Sequence, residues 1–119
     1  MLRLITWILW RLPGAASRFG RNRFERYVGH PVPRHVRDVR AQSTPNVTAF
    51  SFEPPFDRGG LLAGFDASGA SGWPVHSLLL GPMVGTPTRH FYRVIPAAAH
   101  TVWLYLNDAE GKGAILALG

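Results

Sequence analysis

The chain lacks cysteine altogether, and only one of its 13 basic residues is a lysine. Without cysteine, disulfide bonds, cysteine-ligated zinc and thiol catalysis are excluded. No apolar run approaches the roughly 20 residues that a membrane-spanning helix needs. The sequence also lacks phosphate-cradling glycine motifs, a nucleophile-elbow serine and histidine pairs at metal-ligand spacing. It therefore indicates no catalytic residue, no metal site and no cofactor.

Charge is distributed very unevenly along the chain. Residues 1–40 carry nine arginines and two acidic residues, a net charge of +7, whereas residues 41–119 have a net charge of −1. The +6 of the whole chain therefore belongs to its N-terminal third. Concentrated positive charge is typical of segments that bind anionic lipids or nucleic acid. The preference for arginine over lysine, with much alanine, glycine and proline, resembles that of GC-rich bacterial genes.

The first twelve residues form an apolar segment with three polar positions, Arg3, Thr6 and Arg11. A helix of this length spans about 18 Å, less than the roughly 30 Å hydrocarbon core of a bilayer. Its arginines share one side of a helix, and tryptophan suits the depth of the membrane interface. The pattern predicts an interfacial helix followed by a cationic cluster. The predicted membrane contacts are Leu4, Ile5, Trp7, Ile8, Leu9, Trp10, Arg11, Arg18, Arg21, Arg23 and Arg26.

Two other interpretations of the N-terminal segment remain open. Residues 4–10 followed by Gly14, Ala15 and Ala16 resemble a cleaved signal peptide, although Arg11 fits that pattern poorly. Alternatively, the segment is a helix that packs on the protein's own core or on a partner. We therefore expect a protein at the inner-membrane surface or exported, and a cytoplasmic one only in the third case.

A short helix is predicted at residues 23–28, with Asn22 as its N-cap and Gly29 ending it. Pro31 and Pro33 then keep the chain extended. This break predicts two parts, an N-terminal appendage at residues 1–29 and a single domain at residues 30–119.

The sequence of the domain at residues 30–119 predicts short strands separated by turns. Val47–Phe52 alternates clearly, and residues 90–118 are typical of an antiparallel meander that ends in a hairpin. A weak strand at residues 76–80 and a short helix at residues 56–65 are also predicted. The remaining predicted strands are residues 36–42, 90–95, 101–106 and 114–118. The fold class is α+β, an antiparallel sheet of four to six strands with one or two short helices on one face.

The segment 101–106 (TVWLYL) is apolar on both faces of its predicted strand. Such a strand either lies centrally with both faces covered or offers an aromatic face to a partner. Trp103 and Tyr105 are the residues expected to contact a protein partner or a ligand of unknown identity. The predicted function is a non-catalytic binding or structural module, tethered to an anionic membrane surface or exported.

Two further functions are weighed against this prediction. The cluster Arg18–Arg26, interleaved with Phe19, Phe24 and Tyr27, is compatible with a nucleic-acid-associated module. The adjoining tryptophan-rich apolar segment favours lipid over nucleic acid. A small enzyme with a site in residues 73–93, using His76 or His90, is the second alternative, and it requires these side chains and an acid to converge.

Overall fold

The computed structural model describes residues 15–42, 47–67, 73–98 and 100–118. The predicted interfacial helix at residues 1–12 lies outside these ranges. The two helices are α1 (Ala15–Val28) and α2 (Trp73–Val84), and a short 3₁₀ turn covers Pro96–Ala98. The six strands are β1 (Val36–Ala41), β2 (Val47–Phe52), β3 (Asp66–Ala67), β4 (Arg89–Ile95), β5 (His100–Asn107) and β6 (Lys112–Leu118).

The strands form one antiparallel sheet in the order β1-β2-β6-β5-β4-β3. The predicted meander is confirmed, because β4 pairs with β5 and β5 pairs with β6. The last strand then inserts between β2 and β5, which joins the N-terminal hairpin to the meander. The α+β class and the antiparallel sheet are confirmed.

The two helices lie on opposite faces of the sheet, so the prediction that helices occupy one face is wrong. β5 explains why: Val102 and Leu104 point to the face that α1 covers, whereas Trp103 and Tyr105 point to the face of α2. A strand that is apolar on both sides needs cover on both sides. The larger core, on the α1 side, includes Phe24, Tyr27, Val28, Phe50, Phe52, Phe56, Leu61, Val102, Leu104, Leu106 and Ile115. The smaller one, on the α2 side, is built from Val47, Leu80, Val84, Tyr105, Ala114 and Leu116.

Helix α1 is longer than predicted, because it begins at Ala15 and Asn22 lies in its interior instead of capping it. Its end is as predicted: Gly29 adopts a φ of 81° and donates its N–H to the carbonyl of Glu25 at 3.0 Å. The Arg93 guanidinium also donates to the carbonyl of Val28, the last residue of the helix, at 3.0 Å. This bond places a cation at the negative end of the helix dipole. Although sequence analysis placed this segment in the appendage, it contributes Phe24, Tyr27 and Val28 to the core of the domain.

The predictions for the middle of the chain are wrong in both places. Residues 76–80 belong to α2 instead of a strand, because His76, Leu80 and Val84 fall on one helical side and are buried against the sheet. Residues 56–65 form turns instead of a helix. Gly59 and Gly60 have φ values of 69° and 76°, which a right-handed helix does not accommodate.

Candidate functional site

A groove runs between α1 and the outer edge of β1, with a volume of about 370 Å³. Arg18 and Arg21 project into it from α1, and Arg37 and Arg40 from β1. All four of these side chains are exposed. The other residues that line it are Ser17, Val32, Val36, Asp38 and Val39. The groove therefore has an aliphatic floor and arginine walls, and we call it the arginine groove.

The two arginines of β1 share one side of the strand because the strand carries a bulge. The pairing register with β2 shifts between Arg37 and Arg40, and Asp38 adopts a φ of 54°. The bulge inserts one residue into the alternation, so Val36 and Val39 both point into the core. Arg37 and Arg40 then both point outward. A regular strand would have sent one of the two arginines toward the core side.

Gly20 determines how close α1 approaches β1. A Cβ atom at this position would lie 2.9 Å from the Val39 carbonyl oxygen and 2.9 Å from the Ala41 nitrogen, both of them backbone atoms. Glycine therefore allows the helix to contact the strand backbone directly. This contact brings Arg18 and Arg21 to the same groove as the arginines of β1.

The groove arginines form no direct ion pairs in the part of the chain that the structure describes, although Arg37 also borders a second pocket lined by Glu53, Asp108 and Glu110. The ion pairs found in that part of the chain are Arg58–Glu53, Arg89–Asp108 and Lys112–Glu110. Asp38 is the one acidic residue that lines the groove. Guanidinium groups offer forked donors that match carboxylate and phosphate oxygens, so the groove is suited to an anionic ligand.

The structure gives the other two arginines of the predicted cluster different surroundings. Arg23 is half-buried, and its Nη1 donates to the carbonyls of Gln42 at 2.8 Å and Val47 at 3.1 Å. Burial lowers the pKa of Arg23, yet a group of this type stays charged at neutral pH. These two hydrogen bonds hold α1 against the turn end of the β1–β2 hairpin, where β1 ends and β2 begins. Arg26 is exposed and lies over the Tyr27 ring, 5.7 Å from the ring centroid.

Tyr105 lies beneath α2, with only 1% of its surface exposed. Its hydroxyl is 2.5 Å from His76 Nδ1, and its ring packs against Trp73 at a centroid distance of 4.8 Å. Desolvation raises the pKa of Tyr105 to about 12 and lowers the pKa of His76. Both groups are therefore neutral at pH 7, and the phenol can donate to the imidazole nitrogen.

Of the two residues predicted to meet a partner, Tyr105 is covered by α2 of the same chain, and Trp103 is half-buried beside it. The described structure thus has the arrangement in which β5 is central and covered on both sides. His76 and His90 each pack against the Tyr105 ring, at centroid distances of 5.7 and 5.4 Å. Among the residues that the structure describes, no three His, Asp or Glu side chains come together as a metal site would require.

Sequence reasoning identified Arg18 and Arg21 but missed Arg37 and Arg40. The signal for them is the segment Val36–Ala41 (VRDVRA), where two adjacent charged residues interrupt the apolar-polar alternation. Such an interruption is what a bulge produces.

Fold and groove together define a small α+β domain with an exposed basic groove at one sheet edge. Comparison with protein-family models, with curated proteins and with solved structures finds no match to this chain. Within the described ranges, neither α1 nor α2 has the length and hydropathy of a helix that crosses a bilayer.

Proposed function

We propose that this protein is a non-catalytic binding module held at an anionic membrane surface. The observation that carries the proposal is the arginine groove, where four exposed guanidinium groups from α1 and β1 meet without an ion-pair partner among the described residues. Two of these arginines, Arg18 and Arg21, follow the apolar segment 1–12 almost directly along the chain. An apolar segment and a cationic surface are two membrane-binding signals that act together.

The strength of membrane binding depends on this combination. A short apolar helix binds a bilayer weakly by itself, and each basic group near an anionic leaflet adds roughly 1 kcal/mol. Four arginines in one groove would then add roughly 4 kcal/mol to the attraction of the apolar segment. The interaction is electrostatic in part, so we expect it to weaken as ionic strength rises.

Nucleic acid is the competing partner for the same arginines. Binding of single strands relies on aromatic rings that stack on bases. Of the three rings considered for this role, Phe24 and Tyr27 are only 0% and 3% exposed and belong to the core, and Phe19 is half-buried. The tryptophans of the preceding apolar segment, Trp7 and Trp10, suit a lipid interface instead. These observations favour lipid.

The experiment is vesicle co-sedimentation of the full chain, with phosphatidylcholine alone and with added phosphatidylserine. We expect binding to the anionic vesicles that weakens with salt. Arg37→Gln and Arg40→Gln should each reduce the affinity about fivefold, because each removes roughly 1 kcal/mol of attraction. Arg58→Gln is the net-charge control, since it removes one exposed positive charge from a residue that does not line the groove and pairs with Glu53 instead.

Three results would reject the proposal. Equal binding to neutral and anionic vesicles would show that the arginines do not contribute to membrane affinity. Equal losses in the groove variants and in Arg58→Gln would show a dependence on net charge alone. Steeply salt-dependent binding of DNA or RNA without vesicle binding would assign the groove to nucleic acid.

A further inference from the structure

The exposed large apolar side chains of the described residues all lie on one side of the sheet. Val75, Leu78 and Leu79 project from α2 with exposures of 69%, 82% and 42%. Val94 and Leu118 are 56% and 43% exposed. Both pair with Thr101 across the sheet, and their register places them on the same face as Trp103, the face of α2. The opposite face, covered by α1, has no such residue in the described ranges.

Helix α2 has apolar residues on every side, and its only polar side chains are His76 and Ser77. Its inner side packs on the sheet through His76, Leu80 and Val84. Its outer side carries residues 75, 78, 79 and 82, the i, i+3, i+4, i+7 spacing of a single helical stripe. The helix contains no charged residue. A helix that is apolar on every side is expected to be covered on every side, and no described element covers the outer stripe of α2.

Positive charge borders this apolar surface. Arg37 pairs with Ser51 and Arg40 pairs with Ala49, which places both arginines on the α2 side of the sheet at its β1 edge. Arg37 and Arg40 therefore lie on the same side of the sheet as the outer stripe of α2. An apolar helical stripe beside a cationic edge is the combination that an anionic bilayer surface accepts.

We infer that the outer face of α2, with Val75, Leu78 and Leu79, inserts into the headgroup region of an anionic bilayer as a second membrane contact. The inference rests on the proposed function and deepens it, because it gives the domain one orientation on the membrane. A second copy of the chain is a less suitable occupant. Two copies joined through this face would bring two positively charged edges to one interface, whereas anionic lipid neutralises them.

The absence of cysteine provides a direct test, because an introduced cysteine can be labelled without competition. Leu78→Cys and Ala63→Cys of the full chain are each labelled with a polarity-sensitive fluorophore and mixed with phosphatidylserine-containing vesicles. Ala63 is exposed and lies on the α1 side, between the core residue Leu61 and Gly64, which contacts Arg93. We expect the label at 78 to shift to the blue and to be quenched by nitroxide lipids, and the label at 63 to stay in water.

A second measurement uses unlabelled protein. Val75→Gln with Leu78→Gln should weaken vesicle binding about tenfold or more, since two exposed apolar side chains no longer enter the interface. Ala63→Gln is the matched control and should bind like the wild type. Thermal unfolding of all three proteins should agree, because each replaced side chain is exposed.

The outcomes separate this inference from the proposed function. If the full chain does not bind anionic vesicles, the proposed function fails and this inference with it. If the chain binds but the label at 78 stays in water and the Gln variants bind normally, this inference alone is overturned. Shielding of the label at 78 without vesicles also overturns it. A dimeric mass would then assign the face to a second copy, and a monomeric mass to residues 1–12 of the same chain.

Discussion

At the scale of single residues, the hydrogen-bonded pair of His76 and Tyr105 is the most informative polar feature of the interior. His76 is 8% exposed and Tyr105 is 1% exposed, so neither is well solvated. A neutral imidazole and a neutral phenol satisfy each other at 2.5 Å without a buried charge. Protonation of the imidazole would place an uncompensated positive charge beneath α2.

The pH dependence of stability follows from this pair. Because burial lowers the pKa of His76 in the folded protein, the unfolded chain binds the proton more tightly. We expect the free energy of unfolding to be largest above about pH 7 and to fall as the pH drops below about 6.5, the usual pKa of histidine. The decrease from this residue is at most about 1.4 kcal/mol per pH unit. Urea unfolding at a series of pH values measures it.

Two variants distinguish the effect of protonating His76 from the effect of its hydrogen bond with Tyr105. His76→Gln should flatten the pH dependence between pH 5 and 7. Tyr105→Phe should keep the slope but lower stability at every pH by about 1 kcal/mol, the usual cost of a lost hydrogen bond. An unchanged slope in His76→Gln would show that the pKa of His76 is the same in the folded and unfolded chain, and that another group causes the pH dependence.

At the scale of elements, five of the six strands were predictable, whereas the two-residue β3 and most of the two helices were not. β2 has the predicted bounds, and β1, β4, β5 and β6 lie within two residues of theirs. Their alternation and their flanking turn residues specify a strand locally. Residues 73–84 carry no such period, because apolar side chains surround the whole helix, and only packing on the sheet distinguishes helix from strand there. The start of α1 was missed because Asn22 resembled a cap although it lies inside the helix.

The bulge in β1 gives a prediction for this element. Asp38 is exposed and has a φ of 54°, a region that Asp and Asn tolerate and β-branched residues do not. Asp38→Asn should leave the melting temperature unchanged. Asp38→Val should reduce the free energy of unfolding by about 1–2 kcal/mol, because the backbone conformation becomes strained. Chemical denaturation of both variants gives the comparison.

The same pair of variants tests the groove. Asp38→Asn also removes the acidic residue that lines it, so its affinity for phosphatidylserine vesicles should rise severalfold. A neutral effect of Asp38→Val on stability would mean that the strand does not need this bulge. The register that keeps Arg37 and Arg40 together would then need another explanation.

At the scale of the whole molecule, the arginine groove combines residues from two segments that the sequence analysis had assigned to different parts. Arg18 and Arg21 were predicted as surface cations because they belong to a run of arginines. Arg37 and Arg40 join them only through the bulge of β1 and the close contact at Gly20, and both are tertiary features. Likewise, the apolar residues 101–106 indicated that both faces of β5 need to be buried. They did not indicate that α2 packs on one of these faces.

The burial of α1 also predicts where the protein can be shortened. Phe24, Tyr27 and Val28 are almost fully buried in the larger core, and Phe24 packs edge-on against Phe50 at a centroid distance of 5.6 Å. A fragment of residues 30–119 loses all three side chains, each worth about 1.5–3 kcal/mol of burial. Because a small domain has about 5–15 kcal/mol in total, we expect this fragment to lose its cooperative unfolding transition.

A fragment of residues 13–119 provides the comparison, because it retains every residue of the two described cores. We expect it to unfold cooperatively, with a melting temperature near that of the full chain, while its affinity for anionic vesicles falls. Circular dichroism during heating, together with vesicle co-sedimentation, measures both properties. A cooperative transition in 30–119 would show that α1 is dispensable for the fold, and the domain boundary would then lie at residue 29 as the prolines suggest. Loss of folding in 13–119 would instead make residues 1–12 part of the core, and their apolar character would need no membrane to explain it.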